Sequence, residues 1–254
     1  MSLVTAIAEH PALLGFGAIA GVLLGPFAAS ASVTVPDRRW PWQSGSASWP
    51  IGHPATGRRR ILLTLTSAVV LSSLSAVLGW RPAMFAFLTM GIVGLMLAAV
   101  DLEHHRLPDR LTATAAVVSA VLVLLDAVLL GSWPRLASGL ICASVAFAGF
   151  FVMALISPRG MGLGDVKLAG LLSFHTGWLA WELALFAVLA GFVVGAVASL
   201  VLLLARRATL RTAIPFGPAL LLGAWTVVLA FGPIDQSEAV AGGHLPNLAA
   251  CCAG

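Results

Sequence analysis

Residues 82–101 read PAMFAFLTMGIVGLMLAAVD, an uncharged apolar run that ends at an aspartate. A helix needs about 20 such residues to cross the hydrocarbon layer of a membrane. The rest of the chain has the same character, because 59% of its 254 residues are hydrophobic and 9% are charged. About a quarter of the residues of a soluble domain are charged. The composition therefore excludes a soluble globule and a disordered chain, and it predicts an all-α, polytopic membrane protein.

Apolar segments of spanning length recur on both sides of this run. They cover residues 11–30, 61–79, 82–100, 111–131, 136–156, 178–204 and 214–232. A shorter run, 165–177, directly precedes 178–204, and we expect the two to divide near Gly177 to Glu182. No segment has the alternating pattern of a membrane β-barrel strand. The prediction is one membrane-embedded domain over 1–254, with about eight helices of which one is short or re-entrant.

The basic residues predict the topology, because cytoplasmic loops collect lysine and arginine. All but Arg81 and Arg135 of the 14 basic residues fall in four polar regions. These regions are 31–60, 101–110, 157–167 and 205–213. Eight crossings place all four in the cytoplasm and leave both termini outside, together with a short tail, 233–254. Seven crossings would move 205–213 outside and weaken the asymmetry, so eight are favoured.

The longest polar segment, 31–60, is rich in proline, serine, glycine and tryptophan. It is interpreted as a cytoplasmic loop whose tryptophans lie at headgroup level and whose arginines contact anionic lipid. A basic surface this small is not expected to bind nucleic acid. The alternative for the first helix is a signal peptide cleaved after Ala29-Ser30-Ala31, but no lysine or arginine precedes the apolar run, which favours an uncleaved helix.

Ionisable residues inside or beside a membrane segment are costly, which makes them functional candidates. Asp126 lies within an apolar run toward its outer end and Glu182 lies near an outer turn, and both are expected to be structural. Four other acids lie at predicted cytoplasmic helix ends: Asp101, Glu103, Asp109 and Asp165.

Asp101 and Asp165 are the candidates for a reaction centre. Two carboxyl groups brought close together share a proton, since both cannot ionise cheaply. One can then activate water while the other protonates the leaving group, which is peptide hydrolysis without a metal. Capping of a helix N-terminus by Asp165 is the structural alternative, and spacing alone leaves both open.

The residues around the two aspartates favour hydrolysis. Gly160, Gly162 and Gly164 remove side chains just before Asp165, so that an extended substrate backbone could approach. Pro108 breaks the helix that follows Asp101. Asp109 is then expected to cap the next helix, a mainly structural role.

Three stretches resemble the signatures of one family. Asp101-Leu-Glu-His-His-Arg-Leu-Pro108-Asp109 resembles the first signature of the prepilin peptidases, an aspartate, six residues, then Pro-Asp. Gly162-Leu-Gly164-Asp165-Val-Lys167 resembles the second, the Gly-x-Gly-Asp of intramembrane aspartyl proteases with the Val-Lys typical of prepilin peptidases. Ile214-Pro-Phe-Gly-Pro218 is similar to the segment that opens the family's last helix. The resemblance covers roughly residues 60–232.

This resemblance implies a presenilin-like bundle with its active site at the cytoplasmic face of the bacterial plasma membrane. It implies that Asp101 and Asp165 are catalytic. It also implies that the motifs contribute substrate-binding or motif residues, which are Gly162, Gly164, Lys167, Pro108 and Asp109. It further implies removal of the short basic leader from prepilins or pseudopilins of type IV pili, Tad pili or type II secretion systems. No cofactor or resident metal is expected.

One departure from the family concerns zinc. Many members carry paired Cys-x-x-Cys motifs between their first two helices, associated with N-methylation of the new amino terminus. Residues 31–60 contain no cysteine, and the three cysteines of the chain are Cys142, Cys251 and Cys252. A tetrahedral zinc site of that kind needs four thiolates. The sequence therefore predicts a peptidase without the N-methylation activity.

Other classes of protein remain as alternatives. Glu103, His104 and His105 suggest a metalloprotease, but adjacent histidines on a helix diverge by about 100°, and no HExxH motif is present. An ion-coupled transporter would also use intramembrane acids, although no repeated, interrupted helices support one. A purely structural assembly protein is the third class, and it is disfavoured because both aspartates are present.

Overall fold

The computed structural model describes residues 11–34, 56–104, 107–157, 161–206 and 216–232. These residues form eight α-helices, without a strand among them. The helices are α1 (Pro11–Thr34), α2 (Gly57–Leu78), α3 (Pro82–His104), α4 (Asp109–Leu130), α5 (Trp133–Ile156), α6 (Leu163–Leu179), α7 (Trp181–Leu204) and α8 (Gly217–Phe231). Among them, α1 to α5 and α7 are long and apolar enough to cross a membrane. The prediction of an all-α, polytopic membrane protein is confirmed.

The helix boundaries differ from the predicted ones at several points. Helix α1 continues to Thr34 and α2 begins at Gly57, so the polar stretch predicted as a loop over 31–60 is helical at both of its ends. The predicted division of the long apolar stretch falls at Ala180, where the backbone is extended with φ −162° and ψ 146°. The middle of that loop and the 233–254 tail lie outside the described residues.

Glycines allow α1 and α2 to pack closely. A Cβ atom on Gly17 would lie 2.2 Å from Ser75 Oγ, and one on Gly21 would lie 2.4 Å from the Ala68 Cα. Small residues at such spacing let helix backbones approach one another in membranes, where packing replaces the hydrophobic effect between helices. The Ser67 hydroxyl then donates to the Gly21 carbonyl at 2.8 Å.

The two helices that carry Asp101 and Asp165 lie in the centre of the bundle. In an apolar 18-residue stretch of α3, 67% of the residues are buried, whereas the corresponding fractions are 11% in α7 and 17% in α5. Helix α6 is buried from Leu168 to Trp178 without interruption. The outer helices therefore face lipid, while α3 and α6 are surrounded by protein.

At the end of the bundle away from Asp101, a buried ion pair joins α3 to α4. Arg81 Nε donates to Asp126 Oδ1 at 2.8 Å, and the Ser132 hydroxyl donates to Oδ2 at 2.6 Å. The guanidinium carbon of Arg81 lies 4.6 Å from the ring centroid of Trp178, the distance of a cation–π contact. Removing one partner of such a pair leaves a buried charge. These contacts agree with the structural role expected for Asp126, although Arg81 is buried rather than exposed in a loop.

Candidate active site

Asp101 occupies the last turn of α3, where its side chain is shielded by α8. Its exposed fraction is 5%. Its Oδ2 atom accepts a hydrogen bond from the backbone N–H of Gly217 at 3.2 Å. Gly217 is the first residue of α8, so the N-terminus of that helix faces the carboxyl group. Both the hydrogen bond and the positive end of the helix dipole favour an ionised carboxylate there.

The close approach of the Asp101 carboxyl group to the start of α8 requires a glycine at position 217. A Cβ atom added there would lie 2.9 Å from Asp101 Oδ2. Pro218 follows in the first turn, where its missing N–H costs no hydrogen bond. On the other side, the ring of Phe216 packs against Phe150 and Phe192, at centroid distances of 6.4 and 5.1 Å. Gly217 belongs to the motif 214–218, but the motif alone predicted no role for it, although a glycine between an aromatic residue and a proline at a helix start was a usable signal.

Asp165 lies in the first turn of α6. This helix is not among the six that are long enough to cross a membrane. Burial and then the charge of Asp101 raise the pKa of Asp165 to about 6, with a hydrogen bond from the Gly162 backbone acting in the opposite direction. Gly162 is the N-cap residue of α6, so this hydrogen bond helps to cap the helix. Asp165 can therefore cap α6 and also lie close to Asp101. A carboxyl group in this position keeps its proton more readily than an exposed one.

The structure brings Asp101 and Asp165 to one place. The charge of Asp101 acts directly on Asp165. Leu168, one turn further along α6, lies against the same point of α8 as Asp101, since a Cβ on Gly217 would be 3.5 Å from Leu168 Cδ2. The end of α3 and the starts of α6 and α8 therefore meet around the two carboxyl groups.

The two motif glycines before Asp165, Gly162 and Gly164, have different surroundings. A Cβ on Gly164 would lie 2.7 Å from the Cβ of Leu107, so the space beside Gly164 is filled by the first motif. A substrate therefore has no open space on the Cβ side of Gly164, and the expected role of this glycine in substrate approach stays a prediction. A Cβ on Gly162 would have no neighbour closer than 3.8 Å, and open space remains there. Gly160 lies outside the described residues.

Asp109 and Lys167 form an ion pair between the first and second motifs. Lys167 Nζ donates to Asp109 Oδ1 at 2.6 Å, and the two side chains are 43% and 73% exposed. The expectation that Asp109 caps α4 is wrong, because Pro108 is the cap residue and no side chain caps this helix. Such an exposed pair contributes little to stability, but it joins the start of α4 to the start of α6.

A second polar contact fixes the end of α3. Arg59, near the start of α2, forms a salt bridge with Glu103 of α3 and donates from Nη2 to the Ser32 hydroxyl of α1 at 2.9 Å. The contact joins three helix ends two residues from Asp101. Sequence reasoning missed it, since nothing local distinguishes Arg59 from its neighbours Arg58 and Arg60.

The described residues contain no group of three histidine, cysteine, aspartate or glutamate side chains that could hold a metal ion. Glu103, part of the alternative metal set, is paired with Arg59. His105 lies outside the described residues.

The described residues thus form an all-α membrane bundle that brings a buried carboxyl group, that of Asp101, close to a half-buried one, that of Asp165. Residues 88–200, which include both aspartates, match the type IV leader peptidase family. Through this segment, which is less than half of the chain, the protein is similar to that family, and the resemblance predicted from the motifs is confirmed. The third motif, at 214–218, lies beyond the matched segment.

Curated relatives agree with the family. The chain is similar to a prepilin leader peptidase/N-methyltransferase of Pseudomonas aeruginosa, 29% identical over 182 residues, which are 69% of this chain and 59% of the relative. Proteins of the same name from Stutzerimonas stutzeri and Aeromonas salmonicida are 30% and 29% identical, over 59% and 77% of this chain and 50% and 65% of the relatives. The chain thus spans between half and two thirds of their lengths. No solved structure matches it.

Proposed function

We propose that this protein is an aspartic endopeptidase of the membrane that removes the short basic leader from prepilins or pseudopilins. The observation that carries the proposal is the meeting of Asp101 and Asp165 at the ends of α3 and α6, inside the segment that matches the family. The relatives' printed name, prepilin leader peptidase/N-methyltransferase, supports the choice of substrate.

The two carboxyl groups take different parts in the proposed reaction. Asp101, which accepts the Gly217 N–H, acts as the carboxylate that removes a proton from a water molecule whose oxygen attacks the scissile carbonyl carbon. Asp165, whose pKa is raised, carries the proton that passes to the leaving nitrogen as the C–N bond breaks. After the products leave, the proton taken by Asp101 passes to Asp165, which restores the starting protonation of the pair.

The proposed orientation puts the site at the cytoplasmic face. The ends of α1 and α3 and the starts of α2, α4, α6 and α8 lie at the same end of the bundle as Asp101. Arg59, Arg60 and Lys167 lie at this end too, which is the side that basic residues favour. A substrate whose leader remains in the cytoplasm and whose apolar segment stays in the bilayer would meet the carboxyl groups at the boundary.

We also propose that this chain does not N-methylate its product. The support is compositional, because residues 31–60 contain no cysteine and the zinc module of many family members needs four. The relatives named above carry both activities in their names, so this is a point on which the chain would differ from them.

The proposed activity is tested with purified protein in detergent and a synthetic peptide. The peptide has an acetylated arginine-containing leader ending in glycine, followed by an apolar segment of about 20 residues. Mass spectrometry should detect the free leader with the wild type and not with Asp101→Asn or Asp165→Asn, which keep the shape of the side chain. The melting temperature of each site variant, compared with that of the wild type, tests for general damage.

Two outcomes would contradict the proposal. Cleavage that survives either site variant would remove that aspartate from the mechanism, and loss of cleavage only on chelation would indicate a metal. Incubation with S-adenosylmethionine should add no 14 Da species to the product; such a species would refute the absence of N-methylation.

A further inference from the structure

An apolar cavity of about 230 Å³ lies between α2, α3, α6 and α8. Leucine, methionine, phenylalanine and small residues form most of its wall. At its rim Leu222 is 47% exposed, so the cavity reaches the lipid-facing surface between α2 and α8. Its size is of interest because an engineered apolar cavity of about 150 Å³ binds benzene. The cavity has room for one or two large apolar side chains and is too small for a helix, which is about 10 Å across.

The cavity is formed by the helix faces that carry the two aspartates. On α3 its wall includes Ala98 and Gly94, three and seven residues before Asp101. On α6 it includes Leu172 and Thr176, seven and eleven residues after Asp165. At about 100° per residue, all four fall within roughly 60° of the corresponding aspartate around the helix. The cavity therefore continues the face of the candidate active site into the bundle.

The third helix of the site also joins the cavity to Asp101. Pro218, which lines the cavity, directly follows Gly217, whose N–H binds Asp101 Oδ2. From Pro218 the lining continues along α8 to Val228, about 15 Å at 1.5 Å per residue. One end of the cavity thus lies beside the carboxyl group and the other lies deep among apolar helices.

The polar atoms in the wall are already satisfied. His175 Nδ1 contacts the Leu171 carbonyl at 2.8 Å, and Nε2 contacts the Ser119 hydroxyl at 3.0 Å. Because a carbonyl can only accept, Nδ1 carries the proton and the Ser119 hydroxyl donates to Nε2. The Thr176 hydroxyl donates to the Leu172 carbonyl at 3.0 Å. An occupant needs no polar group to match them.

We propose that this cavity binds the apolar side chains that follow the scissile bond of the substrate. The inference rests on the proposed function and deepens it. When the peptide bond lies between Asp101 and Asp165, the apolar segment must leave toward the bilayer. The cavity runs from Asp101 in that direction, it opens to lipid, and it has the volume of one or two side chains. It therefore selects substrates by the size of the first residues of the apolar segment.

The experiment compares two peptides that differ only in those residues. Both have the acetylated, arginine-containing leader ending in glycine; the bulky peptide has leucine at the first four positions after the cut, and the small peptide has alanine there. The wild type should cleave the bulky peptide with a kcat/KM about tenfold higher or more, the usual range for added methylene groups in an apolar pocket. Ala98→Leu fills the cavity and should abolish this preference, so that the ratio of kcat/KM for the bulky peptide to that for the small peptide falls to about one.

A second variant changes the cavity in the opposite direction. Leu221 lies against Gly94 at the wall, where its Cδ2 would be 2.7 Å from a Cβ on that glycine. Leu221→Ala enlarges the cavity and should raise the rate on a peptide with phenylalanine at the four positions relative to the leucine peptide. Ala148→Leu makes the same substitution as the filling variant on the exposed face of α5 and should leave the preference unchanged.

The outcomes separate this inference from the proposed function. If the wild type cleaves the bulky peptide but Ala98→Leu lowers both rates equally, the cavity holds a lipid chain or is only structural, and the inference is overturned. An unchanged preference in both cavity variants overturns it as well. If the wild type cleaves neither peptide, the proposed function itself fails.

Discussion

The two carboxyl groups of the candidate site have different surroundings. Each accepts a backbone N–H, Asp101 from Gly217 and Asp165 from Gly162, but at Asp165 burial and the charge of Asp101 outweigh that hydrogen bond and raise the pKa. Equal carboxyl groups would share a proton without preference. This asymmetry is the basis for assigning the base to α3 and the acid to α6.

Gly217→Ala should lower kcat for peptide cleavage by about ten- to a hundredfold. The added Cβ would be 2.9 Å from Asp101 Oδ2, so either the hydrogen bond or the start of α8 must shift. Loss of a hydrogen bond to a charged group costs about 1.5–3 kcal/mol. The measurement is single-turnover cleavage, with Gly149→Ala as the control because that glycine has no neighbour within 4 Å. Equal rates for the wild type and Gly217→Ala would contradict the role given to the N–H.

The pH dependence of cleavage should be bell-shaped, with an alkaline limb in kcat/KM near pH 6. Asp165 must hold its proton, and burial with the charge of Asp101 raises its pKa to about 6, so the active fraction falls as pH rises above that value. The acidic limb of the profile reports protonation of the proposed base, Asp101. Bound substrate excludes more water, so the alkaline limb of kcat should lie at higher pH than that of kcat/KM. A peptide with an arginine-only, acetylated leader keeps substrate groups from titrating; a profile flat between pH 5 and 8 would contradict the assignment.

At the scale of the elements, helix ends rather than helix centres assemble the site. Leu107 from the α3–α4 connection fills the space beside Gly164, Lys167 pairs with Asp109, and Arg59 joins α2 to α3. Each contact joins the start of one helix to the end or start of another. Helix packing further along the bundle then fixes the angles at which these ends meet.

Gly21→Leu should destabilise the protein through the α1–α2 contact. The Cβ alone would meet the Ala68 backbone at 2.4 Å, and backbone cannot move aside as a flexible side chain can. Overpacking of this kind costs about 1–3 kcal/mol. The measurement is the thermal unfolding midpoint in detergent, with Gly15→Leu as the matched control on the same helix, because Gly15 has no neighbour within 4 Å. Equal midpoints would show that α1 is not packed on α2 in this register.

Over the whole molecule, hydropathy predicted the number and approximate limits of the described helices, because each must bury backbone polar groups within itself in lipid. The division at Ala180 was predictable from the length of the apolar stretch. The motifs predicted which carboxyl groups meet. The contact of Asp101 with Gly217 was not predictable from spacing, since it joins residues 116 apart. The ion pair of Asp109 with Lys167 was missed for the same reason, because a local rule assigned Asp109 to its own helix.

The distance along the chain between Asp101 and Gly217 has a consequence for biosynthesis. A ribosome makes α3 long before α8, and helices enter the membrane in order as they emerge. Until the segment that begins at Gly217 has been inserted, the carboxyl group of Asp101 lacks the N–H that holds it ionised. Under the proposed function, a growing chain that already carries both aspartates is therefore not yet expected to cleave its substrate, and newly made protein is expected to become active only when the last described helix takes its place.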